Sequence, residues 1–383
     1  MNLIQLKTLI TECLNEISLP PGFSSGDFES LDDFAKDGIN EADEPLLGAP
    51  TTDLPPEEMD AYLQRIANKK TDKTDKFKYP YIHRSNIVDD NGKVIDQDKL
   101  KALIKIRPEN LLKQNTKMQK SGGAEFIFYD ISLPALRGLI VDESTNQFKI
   151  VNTCPGAGAC KTYCYAKKGG YIQWKASSLF QTRMVNFLLN DYLGFKAKLM
   201  AELNKAITTK AKKGIKVVLR WHDSGDFMSE KYLQMAFDIA KATPNVIHYA
   251  YTKRVGMVSG ADKPKNFVFN FSKGASAPEE GQINPDSKQS IVVPKQLFQG
   301  LLHKDAAGKW QFNNEEDLQT LKRKMSLKYS VPEESIISYD QMLKIPYDQD
   351  VNTKPEWSVI VKPGDGDVSA SRKDVKTTFL LIH

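Results

Sequence analysis

Between about residues 148 and 276, short apolar segments alternate with segments of helical periodicity, and this alternation limits the possible folds more than any other feature. The segments IKVVLRW (215–221) and VIHYAYTK (246–253) are rich in β-branched and aromatic residues, as is typical of buried strands. Between them, SEKYLQMAFDIAKATP (229–244) has apolar residues at helical spacing. Strands and helices that alternate in this order form parallel βαβ units with right-handed crossovers. The sequence therefore predicts an α/β fold for this region.

Other elements are predicted on either side of these units. A long helix is expected over 175–207, with a break near Gly194, and Ser229 is expected to cap the helix that follows IKVVLRW. The last hundred residues contain one charged helical segment, NEEDLQTLKRKMS, among short apolar segments. The predicted strands are EFIFYDISL, QFKIVNT, IKVVLRW, VIHYAYTK, NFVFNFS, SIVVP, SIISYD, WSVIV and TTFLLIH.

Charge is distributed unevenly along the chain. Residues 1–60 contain 14 acidic and 2 basic residues, whereas residues 61–383 contain 34 acidic and 51 basic residues. Residues 3–18 have the pattern of an amphipathic helix, and PPEEMDAYLQRIANKK has that of a second helix with Pro at its start. The acidic stretch between them lacks periodicity, which is typical of a linker. We predict an acidic N-terminal arm of short helices and linker over 1–76 and a folded domain over 77–383.

Composition argues against several classes of protein. No run of about 18 apolar residues is present to span a bilayer, and the N-terminus lacks the pattern of a secretory signal, so no membrane partner is expected. Four cysteines in 383 residues are too few for a disulfide framework, and a cytoplasmic location is expected. The basic body could attract nucleic acid, but no arginine-rich tract or aromatic-interleaved patch supports that partner.

Three of the four cysteines lie in one glycine-rich loop, where Cys154, Cys160 and Cys164 have the spacing C-x5-C-x3-C. Thiolates are soft ligands, and three from one loop suit zinc or an iron–sulfur cluster. Zinc knuckles usually repeat a closely spaced pair, whereas the fourth cysteine, Cys13, belongs to a distant predicted helix. The glycines leave room for the backbone to curl around an inorganic cluster. A [4Fe–4S] cluster with three protein thiolates is therefore expected, and three small buried residues are the alternative.

Two further polar segments follow predicted strands. HDSGDF comes directly after IKVVLRW, and YTKR comes at the end of the next strand. Sites in parallel α/β sheets lie beyond the carboxyl ends of the strands. We therefore expect the cysteine loop and both segments to meet at one end of the sheet.

A cysteine triad after the first strand of a βα barrel, followed by a Gly-acid turn after the second, resembles the radical S-adenosylmethionine (radical SAM) superfamily. The usual triad of that family is C-x3-C-x2-C, and its Gly-Gly-Glu segment corresponds here to SGD. The resemblance implies a partial or distorted TIM-like barrel and an enzyme that cleaves SAM to a 5′-deoxyadenosyl radical. It implies that three irons are held by Cys154, Cys160 and Cys164, and that SAM is held by Asp226, Thr252, Lys253 and Ser272.

The succession of CPGAGACKTYCYA, RWHDSGDF, YAYTK and a terminal LLIH is also similar to an uncharacterised bacteriophage protein family, over residues 125–383. This second resemblance implies a protein that works in the cytoplasm of an infected bacterial cell. It implies no particular substrate, whether a small molecule or a macromolecule.

Two other functions stay open. A protein side chain could cap the fourth iron, in which case the cluster would have a redox, sensory or structural role. His222 and Asp223 are the nearest candidates, either as direct ligands or with Asp223 orienting His222, and His383 is a further candidate. His222 could equally be a hydrogen-bonded histidine of the rim. Alternatively, the oxygen ligands of HDSGD and GDGD could bind Mg²⁺ or Mn²⁺ in a hydrolase or nuclease.

Overall fold

The computed structural model describes residues 45–71, 75–168, 170–347 and 352–381. The predicted helix over 3–18, most of the predicted acidic arm, Cys13 and His383 lie outside these residues. Within them, the strands are β1 (Thr51–Asp53), β2 (Phe126–Asp130), β3 (Arg137–Asp142), β4 (Gln147–Asn152), β5 (Lys216–Trp221), β6 (Ile247–Thr252), β7 (Phe267–Ser272), β8 (Gln289–Val293), β9 (Leu302–Lys304), β10 (Trp310–Phe312), β11 (Ile336–Ser338), β12 (Trp357–Val361) and β13 (Val375–Leu381).

The helices follow the predicted amphipathic segments, with several short ones added. The predicted break near Gly194 is confirmed, since one helix ends at Asn190 and the next begins at Tyr192. The Ser229 hydroxyl caps its helix by accepting from the Tyr232 N–H. The helices are α1 (Pro56–Ala67), α2 (Asp75–Lys78), α3 (Gln97–Lys105), α4 (Thr116–Ser121), α5 (Cys160–Tyr163), α6 (Gly170–Gln173), α7 (Lys175–Asn190), α8 (Tyr192–Ala211), α9 (Glu230–Ala242), α10 (Val255–Ser259), α11 (Ala277–Glu280), α12 (Lys295–Phe298), α13 (Glu315–Tyr329), α14 (Tyr339–Met342) and α15 (Val368–Ser371).

Eight strands form one sheet in the order β11-β12-β13-β8-β7-β6-β5-β2, and every neighbouring pair is parallel. Helices separate most of these strands along the chain, so the predicted α/β fold is confirmed. The ladder ends at β2 and β11, and these two strands do not pair in the part of the chain that the structure describes. The TIM-like barrel is therefore not confirmed. We call the side on which the eight strands end the carboxyl end of the sheet.

The two faces of this sheet are packed differently. On β5, Val217, Leu219 and Trp221 belong to a large apolar core that also contains side chains of α7, α8 and α9. Val218 points to the other face, because side chains alternate along a strand. There it shares a buried cluster with residues as far apart in the sheet as Phe128 on β2 and Val359 on β12. The sheet thus curves around this second cluster, and we call that side the inner face.

The strand before the cysteine loop is not part of the large sheet. QFKIVNT forms β4, as predicted, but β4 pairs antiparallel with β1 and β3 in a separate three-stranded sheet. The cysteine loop therefore does not follow the first strand of a barrel. Phe148 and Val151 point to opposite faces of β4 and belong to two different apolar clusters, so both faces of β4 are covered although the strand lies outside the large sheet.

The folded unit begins earlier in the chain than the predicted boundary at residue 77. It extends from Leu46, and α1 packs on the three-stranded sheet. Tyr62 and Leu63 on α1 share a buried cluster with Leu139 on β3 and Phe148 on β4. The apolar side of α1 thus forms part of the buried cluster that covers this face of the three-stranded sheet. Helices long and apolar enough to cross a bilayer are absent from the described ranges.

Candidate functional site

The cysteine loop is attached to the carboxyl end of the parallel sheet by backbone hydrogen bonds. The N–H groups of Gly158 and Cys160 both donate to the Gly274 carbonyl, at 3.2 and 3.1 Å. In return, the Ser276 N–H donates to the Gly156 carbonyl at 2.8 Å. Since Gly274 and Ser276 directly follow β7, the loop reaches the end of the sheet where we expected it, although it starts from another sheet.

The glycines of the loop serve this attachment. A Cβ atom on Gly156 would overlap the backbone carbonyl of Lys253, and one on Gly158 would overlap the carbonyl of Ala275. We predicted that these glycines leave room for the backbone to curl around a cluster. The structure shows a second reason for glycine at these positions. They allow the loop to lie directly on the segments that follow β6 and β7.

We expect a Gly158→Ala variant to lose about 1–3 kcal/mol of unfolding free energy, as is usual when atoms are forced into a packed site. Its Cβ would strike backbone atoms of Ala275 and Ser276, which cannot move aside as a flexible side chain could. Urea denaturation would measure the loss. Gly123→Ala is the matched control, because nothing lies within 4 Å of a Cβ at Gly123. Equal stability of the two variants would contradict this account of the loop.

The three loop cysteines are free thiols and are all half-buried. The Leu136 N–H donates to the Cys154 sulfur at 3.3 Å. Burial raises the pKa of Cys154 to about 12, and the charges of Asp226 and Cys164 add to this effect, whereas the Leu136 N–H and Lys253 oppose it. Cys164 is thus close enough to Cys154 to act on its pKa. The Leu136 N–H is the amide donor directed at the Cys154 sulfur.

Burial also raises the pKa of Cys160, with Cys164 and Asp226 acting in the same direction. Lys253 and the N–H of Gly158 lower the pKa and so favour the thiolate. Lys253 therefore acts on two of the three thiols from its place just beyond β6. An ammonium group in this position would stabilise a thiolate set, or the anionic ligand of one.

Asp226 joins the loops that follow β5 and β6. Its carboxylate accepts from the Thr252 hydroxyl at 2.7 Å, from the Lys253 N–H at 2.8 Å and from the Phe227 N–H at 2.8 Å. Its own N–H donates to the Thr153 carbonyl, next to the first cysteine. The carboxylate predicted to bind the SAM amino group is thus already bound by three protein donors.

Two of the predicted site residues have other surroundings. His222 is buried, its Nε2 lies 2.7 Å from the Tyr232 hydroxyl, and its ring lies 4.5 Å from that of Phe227. Burial, with the charge of Arg220, lowers the pKa of His222 to about 3. These contacts belong to the aromatic core, whereas the buried Nδ1 atom of His222 has no hydrogen-bond partner among the described residues, and the ligand role of His222 stays a prediction. Ser272 is buried at the end of β7 opposite Ser290, without a described contact to the cysteines.

A single metal ion has no ready site in the described ranges of the chain, where no three His, Cys, Asp or Glu side chains are grouped closely enough to hold one. This finding gives no support to the zinc alternative, to the hydrolase alternative or to the predicted cluster. In the GDGD segment, the Asp365 carboxylate accepts from the Lys362 N–H at 2.7 Å and closes a turn.

A buried polar network next to the cysteine loop was not predicted from the sequence. Its centre is the Asp367 carboxylate, which is 3.0 Å from the Arg220 guanidinium and 2.7 Å from the Lys117 ammonium. The hydroxyls of Tyr249 and Tyr251 also donate to it, at 2.9 and 2.8 Å. Burial alone would raise the pKa of Asp367, but Lys117, Arg220 and the Tyr251 hydroxyl outweigh burial and hold the pKa below its usual range.

Two more carboxyl groups face Arg220. Asp223 lies 3.5 Å from the guanidinium. Asp130, the last residue of β2, is 2% exposed, and its Oδ1 atom has no hydrogen-bond partner. Burial raises the pKa of Asp130 to about 7, with Asp223 and Asp367 acting in the same direction and Arg220 and Asn115 opposing them. Asp130 can therefore gain or lose a proton near neutral pH.

Two tyrosines connect this network to the cysteine loop. Tyr165, which directly follows Cys164, donates to the Asp223 carbonyl, and its hydroxyl lies 3.3 Å from the Arg220 guanidinium. The Tyr171 hydroxyl donates to the Asp223 carboxylate at 2.6 Å. The thiols and the network thus form one candidate site at the carboxyl end of the sheet. The sequence signal that could have revealed it is a charged residue on the inner face near the end of a buried strand, as at Asp130 and Arg220.

A match to a protein-family model shows to which family the chain belongs. The model is described as gene product 88 and matches residues 109–343, which is more than half of the chain. The chain belongs to the gene product 88 family. This is a phage-type family, in agreement with the bacteriophage resemblance of the sequence motifs. The matched residues include the cysteine loop, Asp130 and Arg220, whereas Asp367 lies beyond them. No curated protein and no solved structure matches the chain.

Proposed function

We propose that this gene product 88 protein binds a [4Fe–4S] cluster through Cys154, Cys160 and Cys164 and is an iron–sulfur enzyme acting at the carboxyl end of its sheet. The observation that carries the proposal is that one loop presents three free, half-buried thiols there, close enough to interact electrostatically. The phage-type family supports a site of action in an infected bacterial cell.

A cluster is proposed rather than a single zinc ion because the sequence lacks the repeated, closely spaced cysteine pair of a zinc knuckle. Zinc needs its ligands in one coordination sphere, with sulfur at about 2.3 Å, whereas the thiolates of a cubane are farther apart because each binds a different iron. The Leu136 N–H donates to the Cys154 sulfur, and such bonds are one means by which proteins tune clusters.

When bound, such a cluster supplies one-electron chemistry, and an iron without a protein ligand can also bind a small molecule. The residues of the chain would do the rest. Lys253 would meet a carboxylate or another anion beside the thiols, and Asp130 would give or take a proton. Tyr165 and Tyr171 would hold the cysteine loop over the inner face and so act as positioning residues.

The use of SAM is the finer part of the proposal. Lys253 supports the use of SAM, since its charge acts on Cys154 and Cys160 and its ammonium would attract a carboxylate bound beside them. Asp226 has a different role from the one expected, because its carboxylate holds Thr252 and Lys253 in place rather than standing free. A cluster with a purely redox, sensory or structural role is the second candidate, and the buried position of Asp130 beside Asp223 favours proton-coupled redox chemistry for it.

Anaerobic purification with iron and sulfide analysis tests the cluster. We expect about four irons and four labile sulfides per chain, and single Cys→Ser variants at positions 154, 160 and 164 should each lose most of them. Cys13→Ser is the matched control and should keep the cluster. Zinc without labile sulfide, or full cluster content in all three loop variants, would overturn the proposal.

Titration of the reduced, cluster-loaded protein with SAM then separates the two candidates. A changed cluster spectrum together with 5′-deoxyadenosine as product would support the SAM-dependent enzyme. An unchanged spectrum without that product would leave an iron–sulfur protein that does not use SAM.

A further inference from the structure

A surface groove of about 540 Å³ lies between the first half of α7 and the segment 106–113. Four cationic side chains line it, Arg107, Lys113, Lys175 and Arg183, against one acidic side chain, Glu109. Arg107 is paired with Asp191 at 2.7 Å but stays 59% exposed. Lys113 and Lys175 are exposed and have no carboxylate partner among the ion pairs of the described residues. The groove therefore has a positive potential that its own acids do not neutralise.

Apolar and aromatic side chains lie between these cations. Phe180 and Leu179 line the groove together with Ile106, which is 50% exposed. The Lys113 ammonium lies 4.5 Å from the centre of the Phe180 ring. Trp174, which directly precedes Lys175, is 67% exposed. An exposed indole next to a lysine-lined groove provides a stacking surface beside a site for anions.

Exposed aromatic and lysine side chains also occur in the segment that precedes the groove in the chain, back to the cysteine loop. Tyr163 is 39% exposed and Tyr165 is 44% exposed, and the neighbouring Lys161 and Lys168 are exposed as well. Aromatic rings and lysines thus extend beyond the groove itself. A ligand that uses them must be longer than a single nucleotide.

We propose that this groove binds single-stranded nucleic acid, with phosphates at Lys113 and Lys175 and a base stacked on Trp174. Proteins that bind single strands combine a cationic groove with aromatic stacking platforms in this way. An acidic peptide would use the cations but not the exposed indole. In a duplex, the faces of the paired bases are stacked on each other and are not available to stack on this indole. The inference goes beyond the proposed cluster and does not depend on it, since none of the groove residues is a cysteine.

Fluorescence anisotropy with labelled 15-nucleotide single-stranded DNA and RNA tests the inference on the full chain, with and without iron. We expect binding that weakens with salt, and the double variant Lys113→Glu/Lys175→Glu should bind at least tenfold more weakly, with a shallower salt dependence. Trp174→Ala should lose roughly fivefold or more in affinity and the quenching of tryptophan fluorescence on binding.

The matched control is Lys263→Glu/Lys265→Glu, which makes the same charge change at exposed lysines before the start of β7. It should lose much less affinity than the groove variant. Circular dichroism would show that all the variants are folded. Equal loss in both double variants would overturn the proposal, as would tighter binding of a duplex or equal binding of polyglutamate or a mononucleotide.

Discussion

An Asp367→Ala variant is expected to lose about 3–5 kcal/mol of unfolding free energy, the usual cost of removing one partner from a buried ion pair. Asp367 is 1% exposed, and its carboxylate neutralises Arg220, which is 4% exposed. Without Asp367, this guanidinium would keep only Asp223, at 3.5 Å, as a charged partner among its described ion pairs. The hydroxyls of Tyr249 and Tyr251 would lose their acceptor as well. Urea denaturation at neutral pH would measure the loss.

Two further variants separate this effect from a general intolerance of substitution. Asp262→Ala removes a carboxylate that is 97% exposed and should change stability by less than about 0.5 kcal/mol. The double variant Arg220→Met/Asp367→Leu removes both charges and should recover part of the loss. If Asp367→Ala were as stable as Asp262→Ala, the network would contribute nothing to the fold.

The local elements of this protein were largely predictable from its sequence. β5, β6 and β7 and the helix α9 follow from the spacing of apolar residues, because buried faces leave a clear pattern, whereas α10 was missed. β3 was missed, since its first residues, Arg137 and Gly138, belong to the stretch LPALRG, which resembles a turn. The short helices α3 and α4 were also missed, because a few turns give too little periodicity to recognise.

Strand partners were less predictable, because periodicity reports burial and does not identify the neighbour in the sheet. The last strand, β13, lies between β8 and β12, so the C-terminal strands enter the sheet out of chain order. β4 was assigned to the wrong sheet, because Phe148 and Val151 are buried on its two faces and such burial resembles that of a strand in a parallel sheet.

The candidate site was predicted only where its residues belong to one loop or to consecutive strand ends. Asp226 and Lys253 meet because the parallel strands β5 and β6 end on the same side, whereas the cysteine loop comes from another sheet and is attached there through Gly156 and Gly158. Asp367 could not be placed, since it reaches Arg220 from a loop after β12. Asp130 was concealed inside a predicted strand, where a carboxyl group is not expected.

The raised pKa of Asp130 predicts how the stability of the protein depends on pH. In the unfolded chain an aspartate titrates near 3.9, whereas in the folded protein burial, with Asp223 and Asp367, raises the pKa of Asp130 to about 7. The folded state therefore binds the proton more tightly than the unfolded state does. Stability from this group is fully present below about pH 4 and is lost as the pH rises through about 7, by roughly 2–4 kcal/mol.

An Asp130→Asn variant should remove this loss, because an amide keeps the size of the carboxyl group and does not ionise. It should be more stable than the natural protein at pH 8 by roughly 2–4 kcal/mol, and the difference should disappear near pH 4. Urea denaturation at a series of pH values would compare the two, with Asp262→Asn as the exposed control that leaves the profile unchanged. An Asp130→Asn profile that fell as steeply as the natural one would show that Asp130 is already ionised at pH 5. The carboxyl group would then be no proton donor near neutral pH, and the proton-coupled role proposed for it beside the cluster would be wrong.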